Sequence, residues 1–528
     1  MAEEVGKWRS SVIDYFASRM RKNIWVLVGF IALKFVLQFI LLSPEYELHR
    51  DEFLHIDQGS HLSWGYLSVP PFTSWTSWLI QWSGNSVFWV KFFPALYGAG
   101  TLALVWFAIR ALGGNLFALV LGSMCVLFSA LLRLNMLYQP NSFDVLSWTA
   151  LYFVMLMYSK TDNNKWLYFG AIVFAVGFLN KYNVVFQVIG LLPALLLSPQ
   201  RKMFVRPALY FSAVLVLILI APNLWWQYQH GFPVFYHLRL LTETQLVNVD
   251  RMNFLRSQLL FFIGSIVVLG ASWYGLLFYR PFRPYAYFFW SMVFTLAVFV
   301  YFRAKDYYAI GIYPIYIAFG AAYLEEICRE SWKRYLRPVL LVIPVLLFIP
   351  ILNVAFPNRI PEYVISHADK YKRFGLLRWE DGKDHLLPQD FADMLGWKEL
   401  ASKVDSIYAE ASKNGNTLVL CDNYGQAGAI NFYAKHRVRA VSFNADYVYW
   451  FDLSKPYVNL IRVKESGEVQ DELDETSPYF KEGRVAGSIT NPYARESGTT
   501  VFFFGGAKVD VRRRLEAEIA EERQFERR

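Results

Sequence analysis

The segment His49-Arg50-Asp51-Glu52-Phe53-Leu54-His55-Ile56-Asp57 decides how the rest of the sequence is interpreted. It carries three carboxylates, two histidines and an arginine, and it closely follows an apolar run from Ile24 to Leu42. That run is long enough to cross the hydrocarbon core of a bilayer as a helix. We therefore expect the charged residues at one face of a membrane, where they either carry out chemistry or form a solvated loop.

The composition is typical of a polytopic α-helical membrane protein. Of the 528 residues, 55% are hydrophobic and 18% are charged, whereas an average soluble protein has about 25% charged residues. The apolar segments predict about eleven spans. They lie at residues 24–42, 88–109, 116–132, 142–159, 166–179, 183–198, 207–225, 257–279, 285–302, 308–324 and 338–355.

The basic residues predict the orientation of these spans. The net charge of +9 comes mostly from short clusters between apolar segments, which is how orientation signals are distributed, so we do not expect nucleic acid as a partner. With a cytoplasmic amino terminus and no cleavable signal, the clusters fall in inner loops. The segments then expected on the outer face are 44–87, 133–141, 180–182, 226–256, 303–307 and everything after residue 356.

The charged tail, residues 357–528, contains no apolar run that could cross a bilayer. We predict it as a soluble α/β domain, separate from a transmembrane domain of residues 1–356. Strands are predicted at 417–421, 438–443, 458–463 and 499–504, with helices at 426–435 and 511–528. Asp422-Asn423-Tyr424-Gly425 is either a ligand-binding turn or, as the more ordinary interpretation, a plain strand-to-helix connection.

The acidic pair in the outer loop 44–87 is the first candidate site. On a helix, the side chains of Asp51 and Glu52 diverge by about 100°, so one can face a substrate while the other holds a neighbour. The apolar residues Phe53, Leu54, Ile56, Leu62 and Trp64 predict that this helix lies along the membrane surface, with aromatics at the headgroup level. Partial desolvation there would raise the pKa of the carboxylates, as general-base chemistry requires. The alternative is a solvated acidic loop.

A metal site is not expected in this loop. His55 and His61 are six residues apart and lie on different faces of one helix, so the usual zinc spacing is absent. A second candidate acid is Asp144, where the fourth span begins on the outer face. The alternative interpretation is a capping box in which Asn141 is the N-cap, and capping and function are compatible.

Three cations break the positive-inside pattern, because Lys181, Arg303 and Lys305 fall at the outer ends of spans. Their functional interpretation is binding of a lipid phosphate at the headgroup plane. The alternative is pairing with Asp306 or with ordinary lipid headgroups. Outer carboxylates beside outer cations suit the transfer of a sugar from a polyprenyl phosphate to an acceptor hydroxyl, in which a carboxylate takes the proton and the cations stabilise the departing phosphate.

Several segments occur in an order that resembles the bacterial branch of the protein O-mannosyltransferase-like, family 39 glycosyltransferases, which are C-type membrane enzymes related to the lipid A aminoarabinose transferase. The segments are Arg50-Asp51-Glu52, Gly65-Tyr66 to Pro70-Pro71, Gln139-Pro140-Asn141-Ser142-Phe143-Asp144, Asn180-Lys181-Tyr182, Lys305-Asp306-Tyr307-Tyr308 and Leu387-Pro388-Gln389-Asp390-Phe391-Ala392-Asp393 with Gly396-Trp397.

The resemblance implies a C-type fold and a polyprenyl-phosphate-linked sugar as donor, with no metal and no other cofactor required. It implies Asp51 as the base and Glu52 as a substrate-positioning group. Many relatives carry an acid where Asn141 stands, which weakens the case for Asp144 as the second-loop acid, and Asp306 departs from the family pattern. The expected location is a bacterial inner membrane with a periplasmic tail, and the expected partners are membrane lipids and an acceptor glycan, lipid or protein.

Two other classes of function remain open. In a transporter or flippase for a lipid-linked or anionic substrate, Lys181, Asp144 and the loop carboxylates would line a pathway. The notable charges gather at the outer edge rather than the midplane, and the halves share no pair of interrupted helices, which disfavours this class. The third class is a non-catalytic scaffold that binds lipid or glycan through the tail.

Overall fold

The computed structural model describes residues 23–244, 246–467 and 469–525. The prediction of a cytoplasmic amino terminus falls on residues 1–22 and lies outside the described residues. The helices up to residue 355 are α1 (Asn23–Ile40), α2 (Arg50–Gln58), α3 (Phe72–Trp82), α4 (Val87–Ala111), α5 (Leu116–Leu127), α6 (Ala130–Leu134), α7 (Pro140–Thr161), α8 (Lys165–Asn180), α9 (Val184–Leu196), α10 (Pro207–Gln229), α11 (Pro233–Thr244), α12 (Arg251–Phe261), α13 (Ile266–Phe278), α14 (Tyr287–Tyr301), α15 (Tyr313–Ile327) and α16 (Leu336–Ala355).

Each of the eleven predicted spans falls on one helix or on consecutive helical elements, so the polytopic helical class is confirmed. Five helical segments of the described chain are long and apolar enough to cross a membrane: α1, α4, α10, α15 with the turn before it, and α16 with the turn before it. The number rises to seven if two bent pairs each count as one span. One pair, α9 with Pro199–Val205, bends by 108°, and the other, α12 with Ile263–Phe278, bends by 66°. The count of eleven spans stays a prediction.

The centre of the bundle is α15, whose residues from Tyr313 to Ala322 are all buried. It packs against α4, α5 and α13. Close approach is possible because Gly320 has no side chain: a Cβ there would lie 1.9 Å from the Val268 carbonyl oxygen of α13. Small residues at such crossings let helix backbones meet where the hydrophobic effect gives little drive for association. Segments that are predicted to lie on the outer face meet at one end of this bundle.

The carboxyl-terminal part contains a five-stranded mixed sheet. Its strands are β1 (Thr417–Cys421), β2 (Ala440–Ser442), β3 (Asn459–Lys464), β4 (Phe480–Ser488) and β5 (Thr500–Ala507), in the order β2-β1-β3-β5-β4. Strand β1 is parallel to β2 and β3, whereas β5 is antiparallel to β3 and β4. The helices of this part are α17 (Pro361–Ser366), α18 (Ala368–Arg373), α19 (Gln389–Ala392), α20 (Trp397–Ala411), α21 (Tyr424–Tyr433), α22 (Val469–Thr476) and α23 (Val511–Phe525).

The α/β class predicted for the tail is confirmed, with one strand missed. Strands β1, β2, β3 and β5 overlap the four predicted ones, and α21 and α23 overlap the predicted helices; the last three residues predicted for α23 lie outside the described ones. Strand β4 was not predicted because it is a sheet edge with mostly exposed residues, and its sequence Lys-Glu-Gly-Arg has no apolar alternation.

One hydrophobic core crosses the predicted boundary at residue 357. Phe53 of α2 is completely buried, and its ring lies 5.6 Å from Trp397 and 5.8 Å from Tyr433, measured between centroids. Leu54 and Ile56 are buried in the same core. These three residues therefore face the tail and not the headgroups, whereas Leu62 and Trp64 are exposed. The position of this helix along the membrane surface stays a prediction. The division into two domains at residue 357 stays a prediction.

Candidate active site

Asp51 lies in the first turn of α2, at the junction of the helix bundle and the tail. Its Oδ1 accepts a 2.7 Å hydrogen bond from the Tyr424 hydroxyl, and its Oδ2 accepts a 3.0 Å bond from Gln139 Nε2. The helix begins here because the His49 side chain is the N-cap, accepting from the Asp51 backbone N–H. The Asp51 side chain is 39% exposed. It is thus held by two donors and is still accessible.

The pKa of Asp51 lies below its ordinary value, contrary to the prediction of a raised pKa. Burial by itself raises the pKa of this carboxyl group, but electrostatic interaction with His49, the hydrogen bond from Tyr424, and electrostatic interactions with His55 and Arg50 together outweigh that effect. The sequence argument considered desolvation alone. The surroundings instead keep Asp51 ionised, which is the form that can accept a proton.

Glu52 points the other way and is completely buried. Its two oxygens accept bonds of 2.8 and 2.7 Å from Lys91 Nζ of α4. They also accept 2.7 Å bonds from the backbone N–H groups of His49 and Tyr138. The predicted divergence of the two carboxylates is therefore present. The predicted role of Glu52 in positioning substrate stays a prediction, since these contacts fix α2 to the bundle.

A continuous chain of hydrogen bonds runs from Asp51 to Lys181. Gln139, which donates to Asp51, accepts a 2.9 Å bond from Asn141 Nδ2, and Asn141 Oδ1 accepts a 2.7 Å bond from Lys181 Nζ. The chain joins three of the predicted outer segments, and Tyr424 adds the tail. These parts of the sequence meet at one end of the bundle.

Lys181 also faces the segment after α14. Its ammonium lies 4.3 Å from the centre of the Tyr308 ring and 5.3 Å from that of Tyr307. Such contacts stabilise a cation that is partly removed from water. Asp144 and Lys305 are both close enough to interact electrostatically with Lys181. Tyr307 interacts electrostatically with Asp51. The segment after α14 therefore contacts both ends of the hydrogen-bond chain, Lys181 and Asp51.

Asp144 is more deeply buried than Asp51 and does not cap its helix. The N-cap of α7 is Gln139, with Pro140 as the first helical residue, so the alternative interpretation of a capping box with Asn141 as the N-cap is wrong. Proline fits the first helical position because its missing N–H has no intrahelical partner there. The buried Asp144 accepts a 3.1 Å bond from Trp148 Nε1 and a 2.8 Å bond from Asn183 Nδ2.

Asn183 joins Asp144 to Tyr308, because its amide also donates to the Tyr308 carbonyl oxygen at 3.0 Å. Asp144 is therefore linked to the surroundings of Lys181 through a neighbour rather than by a direct bond. A structural role in fixing the segment is the immediate consequence of these contacts, and a catalytic role for Asp144 stays a prediction.

The other two predicted cations differ from each other. Lys305 Nζ lies 3.2 Å from Glu380 Oε1 of the tail and close enough to Lys181 to affect it electrostatically. It is therefore part of the same region. Arg303 has a positive φ of 52° and is exposed; its guanidinium donates to the Val247 carbonyl oxygen at 3.5 Å. In the described part of the chain, its contacts do not join it to Lys181 or Asp51.

Four residues of this region were not singled out from the sequence: Gln139, Lys91, Asn183 and Tyr424. Lys91 carried a usable signal, because a lysine inside an apolar span is rare and normally paired. Gln139 was quoted within its segment but given no role. Tyr424 lies in the turn that was considered a plain connection, and nothing local in the sequence indicates its contact with Asp51. Across the residues described, no group of three or more His, Cys, Asp and Glu side chains is arranged to hold a metal ion.

Comparisons with known proteins agree with this architecture. Residues 68–226 match the model of the dolichyl-phosphate-mannose-protein mannosyltransferase family. That stretch includes Asp144 and Lys181 and begins after Asp51. A lipid A galacturonosyltransferase, RgtD of Rhizobium johnstonii, is 25% identical over 257 residues, which are 47% of this chain and 52% of that protein. The chain thus matches about half of the length of this curated relative.

Two solved structures share the fold over nearly the whole chain. ArnT from Cupriavidus metallidurans bound to undecaprenyl phosphate superposes with a TM-score of 0.60 at 15% identity, covering 91% of this chain and 98% of ArnT. The apo form of ArnT gives a TM-score of 0.58 at 14% identity, covering 92% and 98%. In sequence this chain therefore resembles the family 39, protein O-mannosyltransferase-like proteins, and in structure it is a polytopic membrane protein with the C-type glycosyltransferase fold of ArnT.

Proposed function

We propose that this protein is an integral-membrane glycosyltransferase, which moves a sugar from a polyprenyl-phosphate carrier to an acceptor hydroxyl at the outer face of a bacterial inner membrane. The observation that carries the proposal is the hydrogen-bond chain from Asp51 through Gln139 and Asn141 to Lys181. It holds an ionised, accessible carboxylate and a cation in one polar region at the end of an apolar bundle. A base and a phosphate-binding group are the two parts that this reaction needs.

The step we propose is a single displacement. The Asp51 carboxylate accepts the proton of the acceptor hydroxyl as its oxygen forms a bond to the anomeric carbon of the sugar. The bond between that carbon and the phosphate oxygen breaks, and its electron pair leaves with the polyprenyl phosphate. Lys181 and Lys305 stabilise the charge of this leaving group. Arg303 has the least structural support among the three predicted cations, because its contacts among the described residues do not join it to Lys181 or Asp51. A single displacement inverts the anomeric configuration.

Support for the donor comes from the relatives. ArnT, which has the same fold, was solved with undecaprenyl phosphate bound. The name of RgtD gives lipid A as acceptor and galacturonic acid as the transferred sugar. These are the first donor carrier and the first acceptor to try with this chain. No cofactor or metal enters the proposed step.

The test uses the purified full-length protein in detergent or nanodiscs. Undecaprenyl-phosphate-linked sugars are supplied with lipid A and with other glycan or peptide acceptors, and products are identified by mass spectrometry. We expect transfer by the wild type and a loss of at least about a hundredfold in kcat for Asp51→Asn, as for removal of a general base. Asp57→Asn is the matched control, because it is the same change on the same helix.

Three outcomes would contradict parts of the proposal. Transfer that persists in Asp51→Asn removes Asp51 from the mechanism. Transport of the lipid-linked substrate between leaflets without transfer favours the transporter or flippase class. Retention of the anomeric configuration in the product, measured by NMR, overturns the single displacement.

A further inference from the structure

We infer that Tyr424 is a positioning residue for Asp51, so that the carboxyl-terminal part of the chain completes the active site. The inference deepens the proposed function and rests on the role of Asp51 as base. Tyr424 is 373 residues away from Asp51 in the sequence, yet its hydroxyl donates to Oδ1 at 2.7 Å. Gln139 donates to the other oxygen. With a separate donor on each oxygen, the plane of the carboxylate is fixed.

Tyr424 is itself held in place from two sides. The Arg50 guanidinium lies over its ring, 4.6 Å from the ring centre. Tyr424 is the first residue of α21, whose N-cap, Asn423, accepts a 3.1 Å bond from the Gln426 backbone N–H. The Asn423 amide donates in turn to Glu465 and Glu496, at 2.9 and 3.2 Å. A group that must orient a reacting side chain needs such support, because a loosely held donor loses geometric precision.

The two helices approach closely because α21 presents glycines to α2. A Cβ on Gly425 would lie 2.6 Å from Arg50 Cγ, and a Cβ on Gly428 would lie 2.6 Å from Phe53 Cβ. Both distances are too short for real atoms, so glycine is needed at both positions for α21 to lie where it does. The contact between Tyr424 and Asp51 is thus built into the packing of the two helices.

A second tyrosine–aspartate bond in the same interface shows what a purely structural pair looks like. The Tyr447 hydroxyl donates to Asp57 Oδ2 at 2.6 Å, and both residues are buried. Asp51 differs because its side chain is accessible. The Tyr424 bond therefore orients a carboxylate that can meet a substrate, whereas the Tyr447 bond joins α2 to the tail.

The experiment compares Tyr424→Phe with Tyr447→Phe in the full-length protein. A hydrogen bond to the ionised carboxylate lowers its pKa, so its removal in Tyr424→Phe raises that pKa. We expect the acidic limb of kcat/KM against pH to move to higher pH, kcat to fall several-fold, and KM for the undecaprenyl-phosphate-linked donor to stay unchanged. The titratable and charged groups that face Asp51 are His49, Arg50, His55, Tyr307, Asp393 and Tyr424. All except Tyr424 are intact in both variants.

Tyr447→Phe is expected to leave the acidic limb in place, even where it lowers thermal stability. Tyr424→His, which keeps an aromatic ring and a donor, is expected to restore part of kcat and serves as the test if the phenylalanine variant does not fold. An acidic limb that is the same in Tyr424→Phe and in the wild type overturns the inference.

A second measurement needs no substrate. Infrared titration of the purified protein, taken as the difference between each variant and its Asp51→Asn counterpart, reports the Asp51 carboxyl directly. We expect it to titrate at higher pH in Tyr424→Phe. If Asp51→Asn retains full activity while this shift is seen, the proposed base fails and the contact stands. If Asp51→Asn is inactive and the shift is absent, the inference fails alone.

Discussion

Lys305 Nζ lies 3.2 Å from Glu380 Oε1, so a carboxylate of the tail is bound to one of the cations proposed to hold the donor phosphate. Glu380 is kept there by Gln389, whose side chain accepts from the Glu380 backbone N–H at 2.9 Å and donates to Oε2 at 3.3 Å. The Glu380 side chain is half exposed. A carboxylate held in this way competes with an incoming phosphate for the same ammonium.

Glu380→Gln should therefore improve binding of the donor. Removal of the competing negative charge is expected to lower KM for an undecaprenyl-phosphate-linked sugar by a few-fold with little change in kcat, because an exposed ion pair contributes only about 1 kcal/mol or less. Asp384→Asn is the control, since Asp384 pairs with Lys372 in the same segment. An unchanged KM in Glu380→Gln would show that Glu380 does not compete with the donor.

Lys305→Ala should have the opposite effect on the same constant. Loss of a charge-assisted bond to phosphate costs about 1.5–3 kcal/mol, which is a rise in KM of roughly tenfold or more. Steady-state kinetics over a range of donor concentrations measure it. Lys372→Ala is the matched control on the tail. A normal KM in Lys305→Ala would assign the phosphate to other residues, of which Lys181 is the next candidate because it interacts electrostatically with Lys305.

Glu52→Gln should lower stability rather than act only on turnover. It leaves the buried Lys91 without its counter-ion, and breaking a buried pair from one side costs about 3–5 kcal/mol. We expect a lower midpoint of thermal unfolding in detergent, compared with Glu45→Gln, which changes an exposed residue. The double variant Glu52→Gln with Lys91→Met should recover part of the loss, because it also removes the unpaired charge. Wild-type stability in Glu52→Gln would mean that this pair does not fix α2.

The contact between α2 and the tail should be stronger in mild acid. Burial raises the pKa of Asp57 to about 6 and that of Asp446 to about 6. Both values exceed the ordinary value of an unfolded chain, so the folded state binds more protons between about pH 4 and about pH 6. The stabilisation by the neutral forms is complete below this window and is lost as the pH rises through 6.

Hydrogen exchange of α21 at pH 5 and pH 7 measures this effect, with rates corrected for their intrinsic pH dependence. We expect stronger protection at pH 5 in the wild type and a smaller difference in the variant with both Asp57→Asn and Asp446→Asn. The double variant is needed because other carboxyl groups, such as Glu399 with its pKa lowered to about 2, respond to pH in the opposite sense. Equal protection at both pH values in the wild type would contradict the prediction.

The helices and most strands could be predicted because their signals are local. Apolar runs mark α1, α4 and α16, and the short continuous apolar runs of β1 and β5 mark buried strands of a sheet. The convergence of separate outer segments could also be predicted, because the positions of the basic clusters indicate which loops share one face of the membrane. The site residues that lie in these segments, Asp51 and Lys181, were found for that reason.

Contacts between distant segments could not be predicted from a single sequence. Nothing near Asp51 indicates that Tyr424 will contact it, and nothing near Phe53 indicates that the tail will cover it. The same apolar pattern fits a helix at a membrane surface and a helix buried under another domain, so the period of the pattern does not distinguish them. The predicted direction of the Asp51 pKa shift was wrong for the same reason. That direction depends on neighbours that only the fold brings close to Asp51.

The long separation between Asp51 and Tyr424 has a consequence for biosynthesis. A chain made at about 5–20 residues per second needs roughly 20–75 s to extend from one to the other. During this interval Phe53 lacks the rings of Phe432 and Tyr433, which contact it in the complete fold. A truncated protein that ends before α21 would keep this part of the apolar side of α2 uncovered, so we expect quality-control proteases to remove it rather than a smaller enzyme to accumulate.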